Sequence, residues 1–231
     1  MGDRFSLNLF FRLKLNFVRL KIKNFTTMTK KHLLLLLTFS AYFISAQTVF
    51  GVKGGYNLSS FSAGNISYKD KSYFYIGGLS EHYLQSKISI KGEIIYTELG
   101  GHETLPGVAL TNNGIVESGP KKMDYKFPQI QIPVSVKYYL IQPFSVSAGI
   151  NFGFNLSPEV QFTPEDLLSK NGKVENISTL NLFPFLGAEY QLKNRLFLDT
   201  RYHFNFFKIN NAGVMDMKIG FFQIGLGYRF K

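Results

Sequence analysis

The sequence has no cysteine and no tryptophan. Without a thiol there is no disulfide framework, no thiolate metal site and no cysteine nucleophile. Helical periodicity is scarce, and the glycines follow strand alternation and turns instead of opening a helix, so a phosphate-binding loop is absent. His82 and His102 stand alone without ligand spacing, and no metal or cofactor is expected. Long apolar runs are missing as well. The longest begins at Leu33 and continues through Phe39, Tyr42, Phe43 and Ile44, short of the roughly 20 residues that a membrane-spanning helix needs.

Carboxylates are scarce only at the front. Of the formal charge of +11, residues 1–27 carry Arg4, Arg12, Lys14, Arg19, Lys21 and Lys23 against Asp3, and Lys30 and Lys31 add two more. From Gln47 onward, 18 Lys and Arg face 14 Asp and Glu, which leaves no dense basic patch for nucleic acid. Lys30, Lys31 and His32, the apolar run and then Ser45-Ala46-Gln47 have the order of a secretory signal peptide cut after Ala46. Met28 is its natural start. The expected organisation is a misassigned start or basic extension over 1–27, a signal peptide over 28–46 and one domain over 47–231.

Phe and Tyr supply all the aromatic content, and glycine is plentiful, a mixture that favours strands and tight turns. Period two dominates from Thr48. Phe144, Val146, Ala148, Ile150, Phe152, Phe154 and Leu156 alternate with Ser145, Ser147, Gly149, Asn151, Gly153 and Asn155, giving one apolar face and one small polar face. The same alternation marks strands from Phe50, Ile88, Ile130, Leu196 and Phe222. Two further strands are less regular: Ser72 to Tyr83, whose faces cannot be assigned, and Leu180 to Leu192, where Phe183 and Phe185 share the side of Glu189. Pro133 and Pro184 fall inside strands, and each is expected at a bulge or kink.

The eight strands are joined by alternately short and long connections. Residues 84–87, 141–143 and 193–195 read as tight turns. Residues 59–70, 99–124, 157–177 and 207–216 read as long polar loops. Together these predict an all-β fold, an eight-stranded antiparallel up-and-down transmembrane β-barrel in the outer membrane with both termini on the periplasmic side. A soluble barrel also alternates, but its outer face should be rich in Lys and Glu. Here the polar face is small and sparsely charged, and the nearly charge-free apolar face is the one suited to lipid.

The chain resembles the PorT-like outer-membrane β-barrel family of Bacteroidota. The residues that carry the likeness are Ser45 to Gln47, Gly51-Val52-Lys53-Gly54-Gly55-Tyr56-Asn57, Gly92-Glu93-Ile94-Ile95-Tyr96, Ile130-Gln131-Ile132-Pro133, Lys137-Tyr138-Tyr139, Arg201-Tyr202 and Gly225-Leu226-Gly227-Tyr228-Arg229-Phe230. It extends over nearly all of 47–231 and implies an outer-membrane barrel; in the family pattern the chain ends on the terminal aromatic, whereas here Lys231 follows Phe230.

Lys53, Lys91, Glu93, Lys137, Glu189, Asp199, Arg201 and Arg229 fall on the polar face. They are expected to pair inside a sealed lumen as a structural cluster, because a lone buried charge is costly. With eight strands the interior is filled by side chains, so porin activity is not expected. No catalytic residue is assigned. His203 beside Asp199 and Arg201 is the one seed of an alternative, a lipid-modifying enzyme resembling lipid A deacylases; a secreted soluble ligand-binding barrel is a third reading. The leading expectation is a non-enzymatic protein acting in envelope integrity, adhesion or assembly. Its partners would be outer-membrane lipid and proteins docking on loops 99–124 and 157–177.

Overall fold

The structure, a computed structural model, describes residues 48–111, 114–165, 169–193, 195–213 and 215–230. The expected basic extension 1–27 and signal peptide 28–46 lie outside the described residues.

Eleven strands are present: β1 Thr48–Ala63, β2 Ile66–Ser67, β3 Lys71–Gln85, β4 Ile88–Thr111, β5 Gly114–Ile141, β6 Phe144–Asn155, β7 Glu159–Thr163, β8 Gly172–Lys173, β9 Leu180–Gln191, β10 Leu196–His203 and β11 Met217–Arg229. Eight of them form a closed antiparallel ring, β1–β3–β4–β5–β6–β9–β10–β11 and back to β1. Closure follows from the surroundings: lipid offers no hydrogen-bond partner, so every backbone group in the wall must bond to a neighbouring strand. The outer face is predominantly apolar, with Val136 55%, Ile94 64% and Ile224 44% exposed. Inside lie the residues that alternate with them, small or polar in part and aromatic or aliphatic in part.

The short connections stand where the sequence places them, at 86–87, at 142–143 and between Gln191 and Leu196. Of the long connections, 207–216 also falls where expected, between β10 and β11, whereas 59–70 holds the end of β1 and all of β2, and the two others also hold strand. Residues 99–124, expected as a loop, continue β4 and β5 as a ladder from Leu99↔Phe127 to Thr111↔Gly114. Pro106, Gly119 and Pro120 are absorbed in a register shift between Leu105 and Gly107, which leaves the hairpin intact. The expected loop 157–177 likewise holds β7, paired to β5, and β8, paired to β7.

Neither interior proline sits at a bulge. Opposite Pro133 the β4–β5 ladder skips from Gly92↔Val134 to Ile95↔Gln131 without changing register. Pro184 lies one residue beyond the last β9–β10 pair, Phe185↔His203, and its carbonyl accepts the Phe204 N–H at 2.9 Å. In both places the missing N–H coincides with a stretch where a ladder is not continued, so no donor is lost.

β3, whose faces the sequence left open, points Tyr73, Tyr75, Leu79 and Glu81 inward and Phe74 and Ile76 outward. Both of its faces are apolar, which hides the period.

Candidate functional site: the filled lumen

The lumen is built in three tiers. Nearest the short turns is an ionic tier. All eight charged residues singled out from the sequence lie inside it, buried: Lys53 on β1, Lys91 and Glu93 on β4, Lys137 on β5, Glu189 on β9, Asp199 and Arg201 on β10, and Arg229 on β11. A ninth, Glu81 on β3, was missed. In the β3–β4 ladder Glu81 stands opposite Lys91, so counting back from the 84–87 turn would have found it.

These nine groups form one connected network. Lys53 Nζ is 2.7 Å from Asp199 and 3.3 Å from Glu93. Arg201 grips Glu93 through both terminal nitrogens, with Nη1 to Oε2 at 2.9 Å, and its Nε lies 3.0 Å from Asp199. Such a two-pronged contact fixes orientation as well as charge. Lys91 joins this half to the other, lying 3.1 Å from Glu93 and 3.0 Å from Glu189. Lys137 then connects Glu189 at 2.6 Å with Glu81 at 3.1 Å. Arg229 closes the chain on Glu81 at 2.9 Å and on Glu189. Ser89 and Tyr139 each donate a further hydrogen bond to Glu81 at 2.6 Å. Removed from water, each ion is costly unless its neighbours replace the lost hydration, and here every carboxylate meets at least two cations.

Glycine makes room for this tier. A Cβ on Gly225 would lie 2.1 Å from the Tyr75 hydroxyl, and one on Gly227 would lie 2.1 Å from the Phe197 ring. Those two aromatics serve as cation platforms: Arg229 lies 4.3 Å over Phe197, and Lys53 lies 5.3 Å from the centre of Tyr75.

The middle tier is neutral. Gln223 donates to Asn57 at 3.0 Å and Asn57 to Thr97 at 2.7 Å. Asn151 donates to Gln131, Gln131 to Gln129 and Gln129 to Asn155, at 2.8 to 2.9 Å. Side-chain amides both donate and accept, so they can relay such chains across a lumen where unpaired polar groups would be expensive.

Above it sits an apolar plug of Phe61, Ala63, Leu99, Phe127, Phe183, Ile209, Ile219 and Phe221, flanked by Tyr68, Tyr125, Ile177 and Met217. Alternation alone could not reveal it, because these residues carry apolar side chains on the inward face. Phe183, on the side of Glu189 in β9, is a sign of it in the sequence.

His203 is buried, with its ring 4.0 Å from Phe221 and 4.9 Å from Phe185. Neither ring nitrogen has a hydrogen-bond partner. Nothing is bonded to it that would activate a nucleophile or receive a proton. Among the described residues no group of three or more His, Cys, Asp or Glu could hold a metal ion.

Outside the barrel, the extended β4–β5 hairpin is fastened at its base. Lys71 donates to Asp124 at 3.0 Å, Lys122 lies 3.5 Å from the same carboxylate, and Lys126 donates to Gln161 on β7 at 2.7 Å. Burial alone would raise the Asp124 carboxyl, but the hydrogen bond and charge of Lys71, with Lys122 beside it, hold it below its ordinary range.

Two solved structures are similar in fold. The attachment invasion locus protein Ail of Yersinia pestis, in complex with the heparin analogue sucrose octasulfate, aligns over 80% of this chain and 99% of its own, with 12% identity and a TM-score of 0.50. Neisserial surface protein A aligns over 78% of this chain and 97% of its own, with 16% identity and a TM-score of 0.51. At these identities the likeness speaks for the fold alone. Among curated proteins nothing matches significantly. Residues 45–211 match the family model described as outer membrane protein beta-barrel domain. With its closed ring, lipid-compatible exterior and filled lumen, the chain belongs to that outer-membrane β-barrel family and resides in the bacterial outer membrane.

Proposed function

We propose that this is a non-enzymatic outer-membrane barrel, of the PorT-like kind its motifs resemble, that acts through its extracellular side in envelope integrity, adhesion or assembly with partner proteins. The observation that carries the reading is the division of labour within the chain. The lumen is occupied by an ionic network, an amide tier and an aromatic plug, while the β4–β5 hairpin runs on well past the barrel wall and recruits β7 and β8 as extra strands. A sheet held off a rigid scaffold is a natural docking surface. Its exposed Lys122 and half-buried Lys126 offer cations, and Ail was solved with a sulfated sugar, so sucrose octasulfate is a suitable first probe for adhesion to anionic glycans. The enclosure of His203 by Phe185 and Phe221 argues for a packing role over the lipid A deacylase alternative.

The test replaces residues 104–120 by a short turn. The shortened barrel should still insert and remain heat-modifiable, while cells carrying it lose adhesion or partner capture. If they behave as wild type in adhesion, co-purification and detergent sensitivity, the hairpin is not the working surface and the reading fails.

A further inference from the structure

We infer that the periplasmic mouth of the barrel is a binding site for an acidic sugar, a hydroxylated ring carrying one carboxylate. This site lies on the rim opposite the hairpin and does not depend on the adhesion reading.

Several independent features converge there. Two of the short turns bring Lys87, Lys193 and Arg195 to one rim, all exposed. Among the described residues of that rim, in 48–52, 82–90, 138–146, 190–198 and 226–230, there is no Asp or Glu. A rim of one sign concentrates counter-charge in front of it.

The mouth itself is concave. A cavity of about 490 Å³ opens among Tyr83, Lys87, Tyr139, Gln142 and Gln191, within the size range of small-molecule sites. Tyr83 and Tyr139 stack with ring centres 5.9 Å apart and 29° between their planes, forming an aromatic wall on which the apolar face of a sugar can rest. Their hydroxyls lie 3.2 Å apart. A phenol has a single proton; with that of Tyr139 given to Glu81 at 2.6 Å, Tyr83 donates to Tyr139 and keeps its lone pairs for a ligand hydroxyl.

The ionic tier directly behind the cavity is short of one negative charge. Five cations, Lys53, Lys91, Lys137, Arg201 and Arg229, face four carboxylates, Glu81, Glu93, Glu189 and Asp199. Two of its members are bonded to the cavity wall: Arg229 donates to Gln191 at 2.5 Å and Glu81 accepts from Tyr139 at 2.6 Å. A carboxylate seated on Lys87 in this cavity would balance the network from the side on which it is accessible.

The experiment uses the full chain folded in detergent micelles and a matched pair of probes, N-acetylmuramic acid and N-acetylglucosamine, which share a ring and differ by the acidic side arm. Titration calorimetry should show the acidic sugar binding about tenfold more tightly than the neutral one, with the difference shrinking as salt is added. Lys87→Glu, an exposed turn substitution, and Tyr83→Ala should each weaken binding at least about fivefold while heat-modifiability is retained. The inference is overturned if neither sugar binds, if both bind equally, or if Lys87→Glu binds the acidic sugar as well as wild type does.

Discussion

Lys53 on β1 and Asp199 on β10 are 146 residues apart in sequence and meet at 2.7 Å inside the barrel, reaching over the strand β11 that lies between theirs. In the paired register Lys53 stands opposite Gly227 and Asp199 opposite Gly225. The contact is therefore possible only because β11 presents hydrogen where other residues would present a side chain. Two sets of positions that look unrelated in the sequence, charged residues on outer strands and glycines on the last one, are parts of a single construction.

Removing one end of that contact leaves an uncompensated ion in the lumen. Asp199→Asn should cost about 3–5 kcal/mol of unfolding free energy, whereas the paired change Lys53→Met with Asp199→Leu should cost clearly less. Urea titration of the barrel in detergent, followed by the gel shift between folded and unfolded forms, measures both. Equal losses in the single and paired variants would contradict the coupling.

Glycine 227 should be intolerant of any side chain. Gly227→Val places methyl groups in the Phe197 ring, a clash beyond the usual overpacking cost of about 1–3 kcal/mol. A second change, Phe197→Ala, should recover part of the loss by opening the space. Thermal unfolding of the two variants side by side tests the pairing.

The plug and the ionic tier are separate barriers. Phe183→Ala or Phe221→Ala should destabilise the barrel by about 3–5 kcal/mol through the cavity each leaves. Neither should create a steady pore in planar bilayers, because the charged residues below still fill the passage. A stable conductance in Phe221→Ala would show that the plug alone seals the barrel.

Asp124 gives the hairpin base a pH dependence with a definite sign. Its folded-state carboxyl is held low by Lys71 and Lys122, so its contribution is complete above the ordinary carboxylate range, about pH 4, and is lost as pH falls through that range and below. Amide exchange around Tyr125 and His102 should accelerate at pH 3 relative to pH 6 after correction for intrinsic rates. Asp124→Asn should remove that difference.

The barrel was legible because lipid imposes one rule on every strand: an apolar residue at each outward position. Where inner residues are small or polar, as in β6 with Ser145, Gly149 and Asn151, the two faces separate at once. Where inner residues are apolar too, the rule loses contrast. Tyr73, Tyr75 and Leu79 on the inner face of β3 match Phe74 and Ile76 outside, and this hid both the strand's orientation and Glu81. Phe183, which shares the inner side with Glu189, blurred the faces of β9 in the same way. The hairpin was read as loop because glycine and proline counts register irregular backbone but not a ladder that shifts and resumes, as it does past Leu105. The eight charges on the inner face could be found singly from alternation. Their connection into one network depends on distances across the lumen, which no spacing in the sequence encodes.

The seam between β1 and β11, paired from Gly51↔Arg229 to Ala63↔Met217, joins the first strand of the barrel to the last. Until the final segment has emerged, the wall has two open edges and the lumen carboxylates stand in water. Arg229, which ties Glu81 to Glu189, is the most C-terminal of the nine charges. Dehydration of the ionic tier and closure of the wall must therefore coincide at the end of assembly, so a chain cut short before β11 should be held back at the step of insertion, with its ions still hydrated.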